Sequence, residues 1–319
     1  MNIAPFIKEI GRGKDGARSL KVDQAEALMA AVLDGRVNDL QLGAFAIAMR
    51  IKGESADELA GFLAATEARC IRLEPCRPTV VLPSYNGSRK LPNLTALLGQ
   101  LLAQDGIQVL VHGPLNDPSR VTTAAIFRDL GLPIARDAAE IDNAWTRREP
   151  VFIATENLCP PLAQLLAIRW TVGLRNSGHT IAKLLDPCRG HSSVRVVNYT
   201  HPEYGRVLTG FLSRIGADAM LLRGTEGEPA ADPRRTPKMD VFVGGTARAD
   251  LSLAAQDGTL AELPLLPKAT DAATTALYIQ SVVSGAKPAP APLLQQVACI
   301  GRLFEAMQSV SAGEWAGVK

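Results

Sequence analysis

The chain has 319 residues, 47% of them hydrophobic and 21% charged, an ordinary balance for a folded protein with room for one large domain or two smaller ones. No apolar run approaches the length of a membrane span, and the opening MNIAPFIKEIGRGKDG has neither a sustained apolar stretch nor a small-residue cleavage site, so membrane insertion and secretion are not expected. Five cysteines (Cys70, Cys76, Cys159, Cys188 and Cys299) form no CxxC pair and read as free thiols of a reducing cytoplasm, while a net charge of +2 does not by itself announce a nucleic-acid binder.

The first seventy residues read as helices. Asp23 and Glu26 precede the apolar run Ala25–Leu33, which Gly35 closes. A second helix is expected from Asn38 or Asp39 to Met49, stopped by Gly53. Ser55 and Glu58 form a capping box for a third, with Leu59, Phe62 and Leu63 as its apolar stripe. After Cys76 the texture changes to short apolar runs at 79–82, 108–111 and 151–154, the pattern of buried parallel strands, with a helix expected over 93–102. Further strands are expected at 193–199, 218–222 and 240–244, and helices near 204–214, 269–284 and 291–308. Helical periodicity returns at 161–187, in the middle of the strand region. An α/β fold follows, in which a small helical domain (1–72 with 160–190) accompanies a large α/β domain (73–159 with 191–319) built on a central, mainly parallel sheet.

Charge is sorted along this chain. Between residues 161 and 200 stand Arg169, Arg175, Lys183, Arg189 and Arg195 against the single acid Asp186, five cations and one acid, a net of +4 that exceeds the whole chain's charge. Arg175, His179 and Lys183 recur at i, i+4, i+8, so a helix would hold them on one face and turn Leu174, Ile181 and Leu185 inward. Such a face is either a solvated surface whose cations pair with acids elsewhere or an anion track that neutralises phosphates with little sequence preference. Secondary basic pairs stand at Arg89–Lys90, at Arg147–Arg148 and at Arg234–Arg235 with Lys238. Aromatic residues are only 5% of the chain, which argues against base stacking and points to contacts with the phosphate backbone.

The segment Arg50-Ile-Lys-Gly-Glu-Ser-Ala-Asp-Glu-Leu-Ala-Gly-Phe resembles the M-K-G-E-T-x-x-E-[IL]-A-G-F segment of anthranilate phosphoribosyltransferases, of glycosyltransferase family 3, and the resemblance continues in order to about residue 245. It implies that family's fold, shared with nucleoside phosphorylase-like enzymes, and a homodimer formed through the helical domains. It also implies a phosphoribosyl pyrophosphate site, but with its motifs altered. The family's G-T-G-G-D-G-x-x-T-x-N-x-S-T loop corresponds to residues 83–96, where Asn93 is kept, Thr95 replaces a serine, and Pro83 and Tyr85 stand in place of glycines. Of K-H-G-N-R only His112 and Gly113 remain, and Arg120 keeps one cation of the next motif. The acids implied to hold Mg2+ correspond to Glu226 and Glu228 at altered spacing, which puts the ion in doubt. Arg169 matches an arginine that faces anthranilate in the enzymes, whereas the motif asparagine and proline become His179 and Lys183.

Loss of the phosphate motifs beside gain of cations is similar to the YbiB-type branch of the family, paralogues that bind DNA or RNA without sequence preference and lack transferase activity. The resemblance thus implies a cytoplasmic, nucleic-acid-binding homodimer that is not an enzyme and needs no cofactor. The alternatives are a transferase with a remodelled pocket, using Mg2+ and phosphoribosyl pyrophosphate around Asn93, Thr95, His112 and Arg120, and an adaptor whose inherited cleft takes another ligand.

Overall fold

In the computed structural model, residues 2–13, 15–188 and 193–316 are described. Four helices open the chain: α1 (Ala4–Ile10), α2 (Val22–Leu33), α3 (Asp39–Lys52) and α4 (Ala56–Glu67). Strands and helices then alternate as β1 (Thr79–Pro83), α5 (Thr95–Gln104), β2 (Gln108–Gly113), α6 (Thr123–Leu130), β3 (Ile134–Ala135), α7 (Ala138–Thr146) and β4 (Val151–Ala154). Four short helices follow, α8 (Thr155–Leu158), α9 (Pro160–Ala167), α10 (Arg169–Val172) and α11 (Ser177–Ala182). The chain ends through β5 (Ser193–Asn198), α12 (Pro202–Arg214), β6 (Ala219–Leu222), β7 (Met239–Val243), β8 (Thr246–Ala247), α13 (Ala272–Val283) and α14 (Ala291–Ala316). It divides into two compact units, residues 1–72 with 155–187 and residues 73–154 with 188–319.

The larger unit is built on one eight-stranded sheet of order β3-β4-β2-β1-β5-β6-β7-β8. The first six strands in that order run parallel, and β7 and β8 join antiparallel at one edge. β1, β4 and β6 are buried on both faces, which is why they read as unbroken apolar runs rather than alternating ones. Helices α5, α6, α13 and α14 supply Leu97, Phe127, Ile279 and Ile300 to the core on this sheet. Two-residue strands such as β3 and β8 carry no periodicity and are absent from the sequence reading.

The smaller unit depends on one buried acid and one glycine. Ser55 Oγ accepts the Glu58 amide (3.2 Å) and the Glu58 carboxylate accepts the Ser55 amide (2.9 Å), so the predicted capping box forms. The same carboxylate, fully buried, also takes the Leu20 amide (3.0 Å) and Lys52 Nζ (2.6 Å), tying the entry to α2 and the end of α3 to the start of α4. α3 begins at Asp39, within the expected start, and Asn38 caps it with Gln41, but α2 begins earlier than Asp23 suggests, because Gln24 reaches back to the Lys21 amide. Gly61 brings α4 so close to α2 that a methyl group there would lie 2.3 Å from the Val22 carbonyl oxygen. Phe45 and Phe62 meet edge to face beside this crossing, with ring centroids 5.9 Å apart.

Gly61→Ala should therefore force α2 and α4 apart and lower the stability of this unit by about 1–3 kcal/mol. Urea unfolding followed by far-ultraviolet circular dichroism measures it; a change within about 0.5 kcal/mol would mean that the helices separate without strain.

Candidate functional site

The cationic segment does not form the long helix that its spacing predicts. Only Ser177–Ala182 is helical: Arg175 lies before the capping residue and Lys183 stands at the C-cap. The cause is Asn176. It adopts an extended backbone, its Oδ1 accepts the Gly178 amide (2.9 Å), and its Nδ2 donates to the Leu165 carbonyl (2.8 Å), which pins the start of α11 to α9.

His179 completes that cap and is only 8% exposed, so it is not part of a solvent-facing ridge. Its Nδ1 accepts the Asn176 amide at 3.3 Å, an arrangement open only to the neutral ring with its proton on Nε2. Burial, and then the charges of Arg175, Arg169 and Lys183, lower its pKa to about 3. Of the three apolar residues expected to turn inward, Ile181 and Leu185 are buried, whereas Leu174 is exposed.

The remaining cations separate. Arg195 lies on β5 in the larger unit, between Val81 and Ala219, and Arg189 falls outside the described residues. Arg234 grips Asp232 with both Nε (3.0 Å) and Nη2 (2.9 Å), Arg235 approaches the same acid at 3.5 Å, and Lys238 pairs with Asp240 at 2.9 Å, so acids counter this secondary cluster. Arg89 and Lys90 expose their side chains while their backbone amides turn inward.

Those amides belong to the loop that follows β1, which is closed by the chain's own carboxylates. Glu228, 2% exposed, accepts the amides of Asn86 (2.8 Å) and Gly87 (2.7 Å) on one oxygen. Its other oxygen is bonded by the hydroxyls of Ser84 and of Thr95 (3.3 Å). Glu226 accepts the amides of Lys90 (2.8 Å) and Leu91 (3.0 Å), with Arg89 more distant at 3.2 Å. Two carboxylates thus hold the ring of amide and hydroxyl donors that an anion would use.

The turn that carries them is shaped for this contact. Glu226 takes φ 52°, a left-handed conformation that costs a side-chain-bearing residue about 1–2 kcal/mol. At Gly227 (φ +84°) a methyl group would sit 1.8 Å from Asn86 Nδ2, so only glycine fits there.

The other predicted phosphate residues support the closed loop. Asn93 donates to Thr123 Oγ1 (2.9 Å) and accepts the Thr95 amide (3.1 Å), and Arg120 donates to the Gly87 carbonyl (3.3 Å). His112 is buried at the end of β2, bonded through Nδ1 to the Tyr85 hydroxyl (2.9 Å). Glu226 and Glu228 do not fit a Mg2+ site, since both carboxylates are directed at N–H and O–H donors. Sequence spacing offered no sign of this closure, because the partners are separated by 133 to 144 residues.

The His179 geometry has a consequence for stability. The unfolded chain takes up a proton near the ordinary value of 6.5, but the folded chain does so only near 3. Stability therefore falls as pH drops from about 6.5 towards 3, by up to about 1.4 kcal/mol per pH unit. His179→Gln, which keeps an acceptor for the Asn176 amide, should remove that share of the acid sensitivity. Urea unfolding at neutral and mildly acidic pH tests this, and an unchanged pH slope would refute it.

Comparison with known proteins agrees with the fold. Residues 4–70 match the model described as the glycosyl transferase family, helical bundle domain. Anthranilate phosphoribosyltransferase from Thermus thermophilus superposes with a TM-score of 0.68 at 20% identity, covering 95% of this chain and 89% of that one. The Saccharomyces cerevisiae enzyme, solved in complex with PRPP and Mg, gives 0.62 at 12% identity over 97% and 98% of the two chains. In sequence, the Novosphingobium aromaticivorans anthranilate phosphoribosyltransferase is 27% identical over 67% of this chain and 64% of its own length. The YbiB protein of Escherichia coli is 41% identical over 94% of this chain and 93% of its own. The chain belongs to the YbiB family, on the fold of the glycosyl transferases that include anthranilate phosphoribosyltransferase.

Proposed function

We propose that the chain is a homodimeric protein that binds DNA or RNA through the phosphate backbone, without sequence preference, and does not transfer phosphoribosyl groups. The observation that carries this reading is the sorting of charge into one segment, residues 161–200, with five cations and one acid, of which Arg169, Arg175 and Lys183 all help to lower the His179 pKa. Cations concentrated on one segment favour a polyanion, whose condensed counterions are released on binding. Arg234 and Arg235 stand apart from this reading, because both pair with Asp232.

Transferase chemistry is the weaker reading. A pyrophosphate would have to displace Glu228 from two amides and two hydroxyls, and Glu226 from its own amides, before it met those donors. Relatives and structural neighbours with the same fold are anthranilate phosphoribosyltransferases, but fold alone does not carry an activity.

The dimer is proposed to form on the smaller unit. An open apolar groove of about 530 Å³ runs between α1 and α3, lined by Ile7, Ile10, Ala44 and Ile47. Leu40 and Ile51 stand beside it at 83% and 66% exposure. A groove of this character suits a second copy of the chain, and two copies would double the number of cation clusters on one assembly.

Fluorescence anisotropy across a salt series tests the binding. Affinity should fall steeply with salt and be similar for unrelated sequences, and Arg175→Glu with Lys183→Glu should flatten the log–log slope by about 2. An unchanged slope, or no binding at low salt, overturns the reading. Leu40→Glu with Ile51→Glu should shift the mass in sedimentation equilibrium from dimer to monomer; a dimer that persists would remove the groove as its interface.

A further inference from the structure

α10 buries none of its four residues. Within it Trp170 is 60% exposed, and the Arg169 guanidinium lies over its indole with 4.1 Å to the ring centroid. Left-handed Gly173 (φ 78°) ends the helix and turns the chain towards Leu174, also exposed, and then Arg175. The chain has only three tryptophans. Trp145 is buried in the core of the larger unit and donates its indole N–H to the Val109 carbonyl at 3.2 Å. Trp170 contributes no such packing. A large flat ring is held at the surface by a cation, in the segment whose charge is sorted towards Arg and Lys.

Building on the nucleic-acid reading above, we propose that Trp170 is a stacking platform for an unpaired nucleobase, with Arg169 fixing the ring and the neighbouring cations holding the flanking phosphates. Every base presents a π-face, so stacking on an indole adds affinity without selecting sequence. A guanidinium over the ring restricts its orientation and attracts the adjacent phosphate. Bases inside a duplex are already stacked on each other, so the contact is open only to single strands, loops and frayed ends. The charge around the ring favours this occupant over an apolar protein partner. Low aromatic content argues against stacking in general, yet one correctly placed ring is sufficient for one base.

The full-length protein, a short oligothymidylate and a duplex of equal length provide the test. The single strand should quench intrinsic tryptophan emission, and Trp170→Phe should abolish most of that quenching while binding nearly as tightly, since phenylalanine still stacks. Trp170→Ala should weaken the single strand about tenfold and the duplex by less than about twofold. Equal weakening of both, or no weakening of either while quenching persists in Trp170→Phe, overturns the proposal. Conversion of Trp170→Ala from dimer to monomer in sedimentation would also overturn it, by placing the ring between copies. If the wild type binds neither oligonucleotide, the nucleic-acid reading fails together with this one. If it binds with the dependence on Arg175 and Lys183 described above but is indifferent to Trp170, only the stacking proposal falls. Should Trp170→Ala not fold, the emission of Trp170→Phe still decides.

Discussion

The Glu228 carboxylate is the contact on which the candidate phosphate region depends. It joins the loop after β1 to the turn after β6, two segments that leave the sheet at the carboxyl ends of parallel strands. In open α/β sheets that end is where ligands are received. Here the donors that would receive one already have an acceptor within the same chain, and Glu226 repeats the arrangement on the next three amides. The left-handed backbone at Glu226 and the missing side chain at Gly227 are the local conditions for that closure. Asn93, Arg120 and Thr95 then belong to the scaffold of a filled site rather than to an open one.

Much of the fold can be read from the sequence because it rests on local rules. The strands at 79–83, 108–113 and 151–154 declare themselves as apolar runs, and Ser55 with Glu58 marks the start of α4 by reciprocal capping. The start of α2 is harder to place, because only half of such a box forms there: Gln24 takes the Lys21 amide, and the lysine side chain has no acceptor to offer in return. Helices α6 and α7 have no counterpart in the sequence reading; both are short, but Thr122 and Asp137 cap them by the same chemistry that reveals α4.

The site is less accessible to sequence. Periodicity places Arg175, His179 and Lys183 on one face, and it does not register that Asn176 caps a shorter helix and draws His179 inward. The acids at 226 and 228 are visible as a displaced pair, but their amide partners lie far away in sequence and have no side-chain signature, since any residue but proline supplies an N–H. Trp170 is hidden by an average: composition counts rings, whereas exposure depends on which elements reach the core.

Both outermost strands of the sheet, β3 and β8, are two residues long, and this bears on how the protein behaves at high concentration. A long bare margin offers a row of unpaired backbone groups to any passing chain, and stubs this short present almost none. Strand addition is therefore disfavoured at both sides of the larger unit.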